Sequence, residues 1–176
     1  MFGNTAKHSE NNPVKMGLKL GAALGLVVVS IGIIRYKTGM ILRGDQRLSY
    51  LYWAIFTTAV FLTIFRFKRK EPVSFSLKQT IKIGICAGFL SGAIYTLYIV
   101  ILNNYIDTEL SLKIIQFNEQ VAISGSEDLS KEDALQSIKT MSMSSALRGS
   151  IYTLVCMTFG LIHSTIATIV AKKIIK

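Results

Sequence analysis

The sequence predicts an all-α integral membrane protein: a bundle of four transmembrane helices, with an extramembrane helical hairpin between the third and fourth. Three observations predict it. Of 176 residues, 51% are hydrophobic and only 17% charged, where a soluble domain carries about a quarter charged residues. The charges keep to the edges of four long windows, 16–34, 48–65, 81–102 and 151–170, and uncharged runs of such length exceed what buried core helices sustain. Two of these windows carry glycine at every fourth position, Gly17, Gly21 and Gly25 in the first and Gly84, Gly88 and Gly92 in the third. At about 100° per residue, such spacing draws a stripe without side chains along one helix face, and in lipid a smooth stripe is how helices associate.

The net charge is +10, the isoelectric point lies near 9.7 and the mean hydropathy is +0.45. In a soluble protein that balance would point to nucleic acid. Here Lys and Arg gather beside the apolar runs, as in Arg66, Lys68, Arg69 and Lys70 or Lys172, Lys173 and Lys176. That placement marks membrane topology, and no nucleic-acid partner is expected. The whole chain, 1–176, reads as one membrane domain.

Met1–Val14 is a polar tail without the features of a cleavable signal. The first span, Met16–Ile34, has 19 residues and ends at Arg35 and Lys37; at 1.5 Å per residue it covers roughly the hydrocarbon thickness. Lys19 lies one turn inside it, close enough to the end to snorkel. The second span, Leu48–Phe65, gathers Tyr50, Tyr52 and Trp53 at its start as a headgroup belt. Arg66–Lys70 and then Glu71-Pro72 stop it.

Ser74–Lys78 is expected at the interface, with Ser76 as N-cap of the third span, Ile81–Leu102. The polar segment 104–147 follows. Leu110, Ile114, Phe117 and Val121 fall on one helical face, Ser124-Gly125-Ser126 interrupts it, and Ser130 with Asp133 starts a second helix. Ile151–Val170 is the fourth span. The tail, the second loop and the C-terminus together hold twelve Lys and Arg against eight on the other side, so both termini are expected in the cytoplasm. The two glycine-striped spans admit a parallel duplication, but little beyond the glycines matches, and such spacing recurs by chance in membrane helices.

His163, near the middle of the fourth span, is the candidate polar intramembrane site, with Thr158 and Ser164 beside it. Proton relay or metal ligation there needs partners, yet no Asp or Glu lies inside any span. The plainer reading is a neutral His hydrogen-bonded to Thr, Ser or a backbone carbonyl on a neighbouring helix, with Ser91, Ser164 and Tyr95 as the groups at hand. Arg66, Lys68, Arg69 and Lys70 are candidates for contact with anionic lipid, though the same residues serve topology. The acidic Glu127-Asp128 and Glu132-Asp133 pairs lack the spacing of a calcium loop. Cys86 and Cys156 sit in apolar windows as small hydrophobes. No phosphate loop, zinc-protease motif or nucleophile elbow occurs. No metal, no cofactor and no catalytic residue is therefore expected.

The layout resembles a bacterial membrane family catalogued as domain of unknown function 4199, common in Bacteroidota. The resemblance rests on Gly21-Ala22-Ala23-Leu24-Gly25 with Tyr36-Lys37-Thr38-Gly39, on the junction Phe65–Lys70, and on Val73-Ser74-Phe75 leading into Ile81-Lys82-Ile83-Gly84. Tyr105-Ile106-Asp107, the acidic loop, and Phe159-Gly160-Leu161-Ile162 with Val170-Ala171-Lys172-Lys173 complete it. It implies four spans in a bacterial inner membrane and supplies no activity. The function expected is non-enzymatic: a structural or accessory membrane component whose partners are the lipid bilayer and a second copy or another membrane subunit. The alternative is a small carrier or lipid-handling protein with a polar path near His163.

Overall fold

The computed structural model describes residues 12–73, 75–124, 136 and 138–174, with the side chains of 121–124 left aside. The tail up to Asn11, the Ser130 helix start and the acidic pairs at 127–128 and 132–133 lie outside the described residues. Five α-helices are described: α1 (Pro13–Lys37), α2 (Arg47–Lys70), α3 (Leu77–Ile101), α4 (Leu110–Ser124) and α5 (Ser145–Ile174), with a π-helical turn at Leu102–Ile106 between α3 and α4. Four of them are long and apolar enough to cross a membrane, at mean hydropathies of 2.1, 1.7, 2.1 and 1.9. The protein is a multi-pass membrane protein.

Every span starts ahead of its apolar window, because local caps rather than hydropathy set where the helices begin. Asn12 caps α1 through Oδ1, which accepts from the Val14 amide at 2.9 Å, with Pro13 in the first turn. Gly39 and Gly44, at φ +69° and +66°, turn the chain toward α2. Asp45 Oδ1 accepts from the Arg47 amide at 3.0 Å where α2 begins. The Ser76 hydroxyl accepts from the Gln79 amide, so α3 starts at Leu77. Ser144 does the same for the Leu147 amide, which puts Arg148 inside α5 although it precedes the apolar window.

The packing is that of a membrane bundle. On α5 the buried residues are Gly149, Cys156, Gly160, Ser164, Ala167, Thr168 and Ala171, all small. Its large side chains, Leu154, Leu161, Ile162, Ile166 and Ile169, face outward. In water that arrangement would be untenable; in lipid it is favourable, since close helix approach supplies the attraction.

The glycines set which helices touch. A Cβ on Gly17 would sit 2.6 Å from the Ile83 carbonyl oxygen, and one on Gly21 would sit 2.8 Å from that of Ala87. The α1 stripe thus lies on α3, and Gly25 and Gly32 extend it against Ile94 and Tyr98. Gly84, Gly88 and Gly92 face the other way, onto Gly160, Cys156 and Thr153 of α5. Two hydroxyl pairs bridge the same seam, Thr80 with Thr168 at 2.6 Å and Thr96 with Thr153 at 2.9 Å. α1, α3 and α5 form a close-packed slab.

α2 has no glycine. It reaches the slab through Tyr52, Phe56, Val60, Ile64 and Phe67, all buried. Bulky side chains hold helix axes further apart than glycine does. At the end remote from the termini, this standoff leaves space between α2 and the slab.

Candidate functional site

The space is a cavity of about 380 Å³, within the range of small-molecule sites. Four helices contribute to its wall: Val28, Ile31, Gly32 and Arg35 from α1, Ser49, Tyr52 and Trp53 from α2, Tyr95, Tyr98 and Ile99 from α3, and Arg148 and Tyr152 from α5. The aromatic rings form a continuous inner surface. Tyr95 lies 4.5 Å from Tyr152 and 5.8 Å from Tyr98, centroid to centroid, and Trp53 lies 5.3 Å from Tyr52. Tyr98 can occupy this position because Gly32 leaves room: a Cβ there would come within 2.7 Å of the ring.

α4 is the roof. Leu110 and Ile114, buried with Leu102, pack on Tyr36, Ile41, Leu42, Tyr98 and Met141. The expected amphipathic face is therefore real at 110 and 114, and it continues through buried Asn118. The π-helical turn before it aims Asn103 inward. Asn103 Nδ2 donates to the Ile99 carbonyl, and its Oδ1 accepts from the Ser111 hydroxyl and from Arg148 Nη2. Single π turns inside helices recur at functional sites.

Asp107 holds the roof down. Its carboxylate accepts from Lys113 Nζ at 3.1 Å and from the Tyr36 hydroxyl at 3.2 Å. The Lys113 hydrogen bond, first among the causes, holds the Asp107 pKa below its ordinary 3.8. A lowered carboxylate pKa gives stability that is present above 3.8 and lost as pH falls through the folded-state value. The thermal midpoint in neutral detergent is accordingly expected to fall as the pH is lowered below 3.8. Asp107→Asn should start lower and fall less, the residual slope coming from Asp45, whose pKa Arg47 also lowers.

Arg35 and Arg148 are the only charged side chains among the described residues that line the cavity. Arg35 donates through Nη1 to the Ser49 hydroxyl and through Nη2 to the Asp45 carbonyl oxygen, both at 2.9 Å. Arg148 donates through Nη2 to Asn103 and Ser111, and through Nη1 to the Met141 sulfur. These bonds fix both guanidinium planes. The Nε atoms of both arginines and the Tyr98 hydroxyl are buried without a hydrogen-bond partner. The two nearby carboxylates are engaged elsewhere, Asp45 with Arg47 and Asp107 with Lys113.

The residues singled out from sequence lie apart from this cavity. His163 Nδ1 is 2.7 Å from the Phe159 carbonyl oxygen of its own helix, and its ring stacks on Phe159. The Thr158 hydroxyl, at the helix surface, donates to the Leu154 carbonyl, and that of buried Ser164 to Leu161. Their donors are satisfied along α5, and none of the three lines the cavity. At the opposite end of the bundle, Lys68 Nζ donates to the Ala171 carbonyl oxygen at 2.9 Å and lies 5.6 Å from the Phe75 ring centre. It ties α2 to the C-terminal end of α5, where the helix dipole favours a cation, whereas Arg66, Arg69 and Lys70 are exposed. Cys86 and Cys156 are free thiols.

Two expectations change. Tyr52 is not part of a headgroup belt: it is 1% exposed, while Tyr50, two residues earlier, is 71% exposed. Two residues turn a helix by about 200°, which separates the pair to opposite faces. His163, expected to bond a neighbouring helix, bonds a carbonyl of its own instead, while Tyr95, Tyr98 and Arg148 line the cavity. The signal was a period near four running through Arg148, Tyr152 and Cys156, and through Tyr95, Tyr98, Ile99 and Leu102.

No curated protein and no solved structure matches the chain. A family model does match, over residues 16–173, and its description is "Protein of unknown function (DUF4199)". The match spans all four membrane helices and the roofed cavity between them, and the chain belongs to this family.

Proposed function

We propose that this is a non-enzymatic bacterial inner-membrane protein, both termini cytoplasmic, that holds a small amphipathic molecule in the roofed cavity. The orientation rests on the twelve-to-eight distribution of Lys and Arg. The binding reading rests on one observation: two arginine side chains, Arg35 and Arg148, line a largely aromatic and aliphatic cavity with no carboxylate beside them among the described residues. A cation against apolar surface is costly without a counter-charge, and an occupant with a polar head and an apolar body lowers the cost. The accessory reading gains less, since every glycine of both stripes meets a helix of the same chain and offers no smooth outward face.

Trp53 is the only tryptophan and lines the cavity, so its fluorescence reports occupancy. In maltoside micelles, titration with a panel of lipids brominated on the acyl chain should quench Trp53 saturably for at least one headgroup. Ile99→Phe, which fills part of the cavity, should abolish the saturable component, and Leu154→Phe on the lipid-facing surface should leave it. Linear, non-saturating quenching by every lipid in the panel would sink the reading.

A further inference from the structure

Resting on the reading above, we infer that the polar end of the occupant is an oxyanion, a phosphate or carboxylate, clamped between Arg35 and Arg148.

The argument is one of charge balance. Two guanidinium groups line one cavity, and no carboxylate stands among the described residues that line it with them. Arginine stays protonated in proteins, so the site cannot neutralise itself by losing a proton. Of the acids nearest in the fold, Asp45 feels the Arg35 charge, but neither it nor Asp107 bonds an arginine of the cavity through its carboxylate. Asp45 gives Arg35 only its backbone carbonyl and turns its carboxylate to Arg47. Asp107 accepts from Lys113 and Tyr36. Ser49, Asn103 and Ser111, which hold the two arginines, are neutral. A half-buried charge without a counter-charge is costly, and an anion removes that cost.

The geometry also prepares the arginines. Each has both Nη atoms held by neighbours, one bond or two apiece, so its plane is set before anything binds, and each guanidinium has a further Nη hydrogen. Preset planar donors are the arrangement that recognises phosphate and carboxylate. A cavity of about 380 Å³ holds a headgroup and the leading part of a chain, leaving the rest of a lipid among the aromatic rings and the bilayer. The same donors would hold a free oxyanion, and the test separates the two sources.

Wild type and the double variant Arg35→Gln with Arg148→Gln are compared with four acyl-brominated probes: phosphatidic acid, phosphatidylglycerol, phosphatidylcholine and diacylglycerol. Thermal melting with and without inorganic phosphate is measured in parallel. The expected result is half-maximal Trp53 quenching at about tenfold lower concentration for the two anionic lipids, a preference lost in the double variant, as charge-assisted hydrogen bonds of this class predict. If no lipid quenches saturably but phosphate raises the melting point of wild type alone, the clamp stands with a free oxyanion as its ligand, and the amphiphile reading falls. If all four lipids quench equally, the clamp is overturned and the amphiphile reading survives. If neither lipid nor phosphate registers, both fall. The wild-type headgroup ranking needs no variant, so it decides the matter even where the double variant fails to fold.

Discussion

Gly88→Leu is expected to part α5 from α3 and to destabilise the protein by about 3 kcal/mol, the upper range for forcing atoms into a filled interface. A Cβ at position 88 would meet the Cys156 carbonyl group and lie 2.9 Å from the Met157 Cα. These are backbone atoms. No rotamer change can relieve the collision, so the helices must move apart, and the seam that carries the Thr80–Thr168 and Thr96–Thr153 bonds opens with them. Thermal melting in a mild detergent should show a midpoint many degrees below wild type. Phe89→Leu is the control, because Phe89 is 50% exposed on the lipid-facing side of the same turn. The cavity should suffer as well, since α3 supplies Tyr95 and Tyr98 while α5 supplies Arg148 and Tyr152. An unchanged melting midpoint for Gly88→Leu would mean that the close approach of α3 and α5 is not what holds the slab together.

The same glycines show where sequence reasoning reaches and where it stops. Hydropathy and length find the four spans because the solvent imposes both. A four-residue glycine spacing reveals a smooth face but not its partner. Gly17, Gly21 and Gly25 look like Gly84, Gly88 and Gly92, yet the first set meets α3 and the second meets α5. The partner is decided by shape on the opposing helix, by Gly160 and Gly149 on α5, which stand eleven residues apart and make no stripe of their own.

The cavity was hidden for a related reason. An arginine at the edge of an apolar run satisfies the topology signal equally well whether it turns to the headgroups or into the bundle. Arg35 therefore read as the end of a span. Arg148 lies ahead of the apolar window 151–170 yet inside α5, because Ser144, not the onset of hydropathy, starts that helix. Rotation about the helix axis is the missing variable. It was recoverable for Tyr52, which shares a four-residue period with Phe56, Val60 and Ile64, all buried. His163 drew attention through rarity alone. Its environment is ordinary: a carbonyl of its own helix and two aromatic rings, Phe159 and Phe56.

Phe56→Ala is expected to loosen α2 selectively, at about 3 kcal/mol, the lower end for truncating a buried phenylalanine. The lower end applies because lipid is as apolar as the bundle, so the loss is mainly of packing contacts and not of shelter from water. Phe56 is fully buried and within 6.1 Å of Tyr52 and 5.8 Å of Trp53, ring to ring, with the His163 ring edge-on at 6.4 Å. It sits one turn below the cavity on α2, which alone among the described spanning helices has no glycine. Removing it takes away the spacer that keeps α2 off the slab, and Trp53 should report the change by a shifted emission maximum along with the lower melting midpoint. Leu62→Ala, on the lipid-facing side of α2 at 53% exposure, should alter neither. If Phe56→Ala melts like wild type with unshifted emission, α2 is held by its ends, by Arg35 to Ser49 and by Lys68 to Ala171, and the cavity owes its width to those two ties instead of to the aromatic spacer.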